Sequence, residues 1–121
     1  MKALRSVAVL LALSLMIGEL WRSWGTDRPI AFVLDDMIMG ALLIYGAWRM
    51  RRDTPRDRVV FGAAWGVAAG MLYGSFFGKL FDPASVDPGN WDLGVLTMLV
   101  GTAFAVSLGG LVATVLLPDR E

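Results

Sequence analysis

The chain has no cysteine and no histidine in its 121 residues. That excludes disulfides, thiolate and imidazole metal sites, histidine-ligated haem, and nucleophile–base pairs built on either residue. It also means that cysteine usage says nothing about redox compartment. Net charge is missing as well. Eleven basic residues balance eleven acidic ones, so the sequence offers no basic face for a nucleic acid partner. The strict alternation of apolar and polar residues that marks barrel strands is absent too.

What fills the chain is apolar. Hydrophobic residues make up 56% without glycine, fourteen glycines come on top, and the mean hydropathy is +0.60. A soluble domain is about 45–50% apolar with glycine included. The excess is gathered in four stretches, from about residue 3 to 20, 30 to 48, 59 to 77 and 91 to 117. Each is long enough for a helix to cross the hydrocarbon core, which takes roughly 17–25 residues. A backbone in lipid must satisfy its own hydrogen bonds, which makes these stretches helices. The expected fold is all-α: an integral membrane four-helix bundle of antiparallel up-down helices in one transmembrane domain spanning residues 1–121.

Turn chemistry separates the stretches. Gly25, Thr26, Asp27 and Pro29 lie in the first break, with Pro29 placed for a first helical turn. Asp53, Thr54 and Pro55 form the second break. Asp82-Pro83 and Asp87-Pro88-Gly89-Asn90 form the third, where Asp87 or Asn90 is suited to cap the fourth helix. Pro118 ends it. Lys2, Arg5, Arg49, Arg51, Arg52, Arg56, Arg58 and Arg120 fall on one side of the spans, against Arg22, Arg28 and Lys79 on the other. Basic residues collect on the cytoplasmic side, so both termini and the middle loop are expected there. Trp21, Trp24, Trp48 and Trp91 sit at span ends, as an interfacial belt requires, whereas Trp65 lies within the third span. The first stretch lacks a small-x-small cleavage site around Gly18 and reads as an uncleaved helix.

Gly62, Gly66, Gly70, Gly74 and Gly78 recur every four residues in the third stretch. Glycine in a helix interior costs about 1 kcal/mol relative to alanine. Five at one spacing point to a face where another backbone comes close, since helices in lipid associate by close packing. The fourth stretch carries a matching stripe of Gly101, Ala105, Gly109 and Ala113. The simpler expectation is that these two stripes pack on each other within one chain. The alternative is a seam between two copies.

Acidic residues within reach of the spans fall in the outer half. Glu19 ends the first helix. Asp35 and Asp36 enter the second by about 8–9 Å at 1.5 Å of rise per residue. Successive helical residues point about 100° apart, so the two aspartates should address different neighbours. Arg22 is three residues from Glu19, a spacing that suits a local ion pair. Tyr73 reaches a similar depth on the third helix. Glu19, Asp35, Asp36, Arg22 and Tyr73 are therefore the candidate polar or ion site. Three roles compete for it: structural ion pairing with Arg22, Arg28 or Lys79, a cation or proton site, and a contact with a basic partner protein.

The arginine-rich middle loop is explained by topology and is compatible with anionic lipid headgroups. Met37, Met39 and Met71 are packing residues rather than metal ligands. Ser75 and Lys79 have the spacing of a Ser–Lys dyad, but no oxyanion site accompanies them, so the chain is not read as an enzyme and no cofactor is expected. The composition fits a small protein of a bacterial inner membrane, with the lipid bilayer as its environment. Two functions follow. One is an oligomeric ion- or proton-coupled transporter or channel using the outer-half carboxylates. The other is a non-catalytic accessory or assembly subunit of a larger membrane complex.

Overall fold

The computed structural model describes residues 2–26, 30–86 and 88–116. Among the described residues all regular structure is helical. There are four long helices: α1 (Lys2–Ser23), α2 (Ile30–Arg49), α3 (Pro55–Phe81) and α4 (Leu93–Leu116). Single 3₁₀ turns cover Met50–Arg52 and Pro83–Ser85. Three helices, α1, α3 and α4, are long and apolar enough to cross a membrane. The 20 residues of α2 give it a length of about 30 Å.

Capping explains where the helices depart from the apolar stretches. Helix α3 starts at Pro55 rather than at residue 59. Thr54 stays extended, its hydroxyl accepts from the Asp57 backbone N–H, and Pro55 takes the first helical position. Helix α4 starts at Leu93 rather than at 91, because Asp92 caps it by accepting from the Val95 N–H at 3.1 Å. Asn90, expected to cap α4, does something else. Its side-chain amide donates to the carbonyls of Trp21 and Trp24 at 2.8 and 2.7 Å. The last carbonyls of a helix have no partner within it, and an amide with two donors can serve two of them. Asp27, Arg28, Pro29, Asp87, Pro118 and Arg120 lie outside the described residues.

Contacts between α1 and α2 run in opposite order along the two helices, so they are antiparallel. Arg5 Nε donates to the Ala47 carbonyl at 2.7 Å, and further along Gly40 faces Met16 so closely that a Cβ would lie 2.5 Å from its sulfur. Gly46 lets α2 approach the Phe61 backbone, with a hypothetical Cβ 3.2 Å from Phe61 Cα. Gly110 of α4 lies against Trp65 of α3, where a Cβ would come within 2.5 Å of the indole ring. The core is built of small and aromatic residues, among them Ala8, Ala12, Leu43, Phe61, Ala64, Trp65 and Ala68, each 4% exposed or less. Trp65 therefore does not belong to an interfacial belt: it is the central filler between α3 and α4. Trp21, Trp24 and Trp48 stand exposed at helix ends.

The glycine ladder does not pack on α4. A Cβ at Gly66, Gly70, Gly74 or Gly78 would meet nothing within 4 Å, and one at Gly62 meets only the Thr114 methyl at 3.7 Å. The fourth-helix stripe is equally divided. Gly101 faces Phe76, Gly109 faces open space, and Ala105 is exposed. The reason is rotational. Four steps of about 100° overshoot one turn by about 40°, so a ladder of fours winds around its helix. It begins beside α4 at Gly62 and passes onto the outward face by Gly70. The contact with α4 is made instead by Trp65, Phe76 and Phe104, with Phe76 and Phe104 stacked at 6.3 Å.

At the end that holds the α2–α3 connection, Asp57 organises the arginines. Its carboxylate accepts from Arg49 Nε at 2.9 Å, Arg52 at 3.0 Å and the Thr54 hydroxyl at 2.7 Å. It is fully buried. Arg58 reaches across to the Thr114 carbonyl at 2.6 Å. Removing one partner of a buried charge network leaves the others unpaired. Asp57→Ala is thus expected to lower the melting temperature clearly more than Arg56→Ala, an exposed position in the same loop. Equal melting temperatures by circular dichroism in detergent would contradict this.

Candidate functional site

At the opposite end, where α1–α2 and α3–α4 are connected, the four helices part around a cavity of about 940 Å³. Consecutive helices pack along their lengths, but α1 and α4 touch only sparsely. The space lies along that seam. Leu11, Ser14 and Gly18 form one wall, and Leu99, Thr102 and Val106 the other. It reaches the surface there, where Leu99 is 48% exposed. Across the top runs a clasp from the α3–α4 connection. Asn90 holds the end of α1 as described, its own N–H donates to the Arg22 carbonyl at 3.1 Å, and Trp91 Nε1 donates to the Gly18 carbonyl at 3.0 Å. Gly89 has a positive φ of 59°, and its backbone passes so close to the Arg22 carbonyl that no Cβ fits. Losing the two side-chain bonds in Asn90→Ala is expected to lower stability by about 1–3 kcal/mol. It should also quicken hydrogen exchange at the end of α1 without disturbing α2–α3.

The charged residues gather beneath the clasp. Glu19, Arg22, Asp35, Asp36, Ser75 and Lys79 all line the cavity. Glu19 is only 3% exposed. It accepts from the Ser23 hydroxyl at 2.9 Å and lies 3.8 Å from the Arg22 guanidinium. Asp36, partly buried, lines the same cavity and neighbours Glu19. Asp35, one residue earlier, is exposed and also lines the cavity.

Four of the five residues proposed from sequence thus share one cavity. Tyr73 does not. It is 56% exposed and packs on the rings of Phe77 and Phe104, at 4.8 and 5.8 Å. Depth along the helix placed it correctly, but rotation turned it away. Lys79 is the residue that sequence reasoning undervalued. At the end of a span it reads as an interfacial cation, yet it is 6% exposed, with its ammonium 2.7 Å from Ser75 Oγ. Its i, i+4 spacing to Ser75 was the available signal. The ammonium donates to that hydroxyl and approaches the Ser75 carbonyl at 3.4 Å. This is how a buried lysine satisfies itself on its own helix. Among the described residues no group of three carboxylates comes together as a metal site would require.

No protein-family model, curated protein or solved structure matches the chain. Three of its helices are, by length and composition, long and apolar enough to cross a membrane, which is compatible with a membrane protein.

Proposed function

We propose that all four helices cross a bacterial inner membrane, with both termini and the arginine-rich connection in the cytoplasm, and that the chain is a small proton-coupled transporter working through the cavity. The eight-to-three division of basic residues supports the orientation. It places the clasp and the cavity in the outer half of the membrane. The observation that carries the function is the Glu19–Asp36 carboxyl pair in the cavity wall. Two neighbouring carboxyl groups in a cavity wall can hold one proton between them. Such a pair can give up that proton and take it back at little geometric cost, while Arg22 compensates the charge left behind. Intramembrane acids of this kind mark proton relays and coupling sites. A proton suits the pair better than a divalent ion, which wants six or more oxygen ligands.

The test is reconstitution of the protein into vesicles of phosphatidylethanolamine and phosphatidylglycerol with a trapped pH dye. A potassium diffusion potential then drives protons inward. Proton entry above the rate of protein-free vesicles is expected. Equal rates with and without protein would sink the proposal.

One observation favours the second reading, an accessory subunit. A Cβ at Gly66 or Gly70 would meet nothing within 4 Å, and small-residue faces in lipid pack closely against other helices. That face would take a helix of a second copy in an oligomeric transporter, or of a larger protein if the chain is a subunit. Native mass spectrometry of gently extracted protein separates the two. A homo-oligomer supports the transporter, and a stoichiometric larger partner supports the subunit.

A further inference from the structure

Five arginines stand around the α2–α3 connection, and the fold engages three of them. Arg49 and Arg52 are held by Asp57 at 2.9 and 3.0 Å. Arg58 donates to the Thr114 carbonyl and lies 3.9 Å from Asp53. Arg51 is different. It is exposed, and among the described residues its guanidinium meets no carboxylate. It sits over the Trp48 ring instead, 4.6 Å from the centroid. A cation–π contact of this kind engages the face of a guanidinium and leaves its N–H edges, a planar fork that matches phosphate. Trp48 also ends a shallow apolar groove between α1 and α2, whose other walls are Met16, Ala41, Ile44 and Tyr45. Ala41 lies seven residues before Trp48, about 10 Å along the helix. One leaflet contributes about 15 Å to the hydrocarbon core. The groove therefore follows most of the depth of one leaflet, starting from the arginine end.

We infer that this groove binds an anionic phospholipid. Arg51, held on its Trp48 platform, takes the phosphate, and one acyl chain lies against Met16, Ala41, Ile44 and Tyr45. The inference goes beyond the transport reading. It requires α2 to lie in the membrane as proposed above, which makes the lipid one of the cytoplasmic leaflet, and it is indifferent to proton movement. Charge complementarity selects the headgroup. The described acids at this end are turned to other arginines, Asp57 to Arg49 and Arg52 and Asp53 to Arg58. A zwitterionic headgroup would bring its ammonium to a cation with no carboxylate to receive it. A headgroup with one negative charge and no amine leaves nothing unmatched. Arg56, also exposed, adds attraction of the diffuse kind that basic residues near an anionic surface provide.

The experiment is native mass spectrometry of the full chain released from nanodiscs holding equal amounts of phosphatidylethanolamine and phosphatidylglycerol. One phosphatidylglycerol retained per chain is expected, at least about tenfold over phosphatidylethanolamine, a difference worth about 1.4 kcal/mol. Arg51→Gln should remove most of that preference. Arg51→Lys should restore only part of it, because an ammonium keeps the charge and loses the planar fork. Arg56→Gln should leave most of it in place. The apolar part is tested separately. Ala41→Trp, which fills the groove, should lower phosphatidylglycerol retention, whereas Leu42→Trp, one residue on and outside the groove, should not. All four positions are exposed, so none of these changes disturbs a packed core. Equal retention of the two lipids, or no loss in Ala41→Trp, would overturn the inference. An Arg56→Gln loss as large as that of Arg51→Gln would overturn it as well, since the attraction would then be diffuse. A lipid-free homodimer that Ala41→Trp dissociates would assign the groove to a second copy of the chain instead.

Discussion

Asp36→Asn is expected to lower protein-dependent proton entry into vesicles at least about tenfold, because an amide keeps the shape of the carboxyl but has no titrating proton to relay. The fold should survive. An asparagine at this position can still donate to Glu19, which stays beside Arg22 and Ser23, so the buried carboxylate keeps partners. Glu19→Gln should have a comparable effect on proton entry, since either change removes one half of the pair. Asp35→Asn should do less, because Asp35 is exposed. The comparison is read from the pH dye at matched protein content, with helicity by circular dichroism as the fold control. Similar losses in all three variants would mean a diffuse electrostatic effect rather than a proton pair. No loss in any of them would remove the pair from the mechanism.

The second large effect concerns where glycine is structurally required. Gly110→Ala is expected to destabilise the protein by about 1–3 kcal/mol, the usual cost of forcing extra atoms into a filled core. The added methyl would lie 2.5–2.6 Å from three atoms of the Trp65 indole. That ring is fully buried and rests on Phe61, with centroids 5.6 Å apart, so it has nowhere to go. The better helix propensity of alanine, about 1 kcal/mol, offsets only part of the clash. Gly70→Ala should behave oppositely. Nothing lies within 4 Å of its Cβ position, so the monomer fold should be unchanged or slightly more stable. Thermal unfolding in detergent checks both. If Gly70→Ala destabilised the chain as much as Gly110→Ala, the ladder would be packed in a way the helix arrangement does not provide. If it changed only the oligomer distribution in native mass spectrometry, the ladder would be an intermolecular face.

These two glycines show how far the sequence could be read. The ladder was its most regular feature, and regularity pointed to a tight contact. Of the glycines that contact other helices most closely, Gly40, Gly101 and Gly110, only Gly101 belongs to a stripe of fours, and Gly40 and Gly110 have no such pattern. A helix–helix contact is local: it needs one or two small residues where the axes cross, while a ladder of fours winds off any fixed line. The T-x-x-D run of Thr54 and Asp57 was a legible capping signal, but that Asp57 would also gather Arg49 and Arg52 depended on how the chain turned between α2 and α3.

The sequence by itself determined four apolar helical stretches, the connections between them, the bias of basic charge and the concentration of acids toward one end. These follow from length, hydropathy and turn chemistry, which act within a few residues of chain. Only the tertiary structure decided rotation. It brought Asp36 and Glu19 to one cavity, turned Tyr73 outward, buried Lys79 and Trp65, sent Asn90 to close α1, and left α1 and α4 apart around that cavity. Depth along a helix is fixed by residue number, but the direction a side chain faces is shared among all the neighbours that must pack around it.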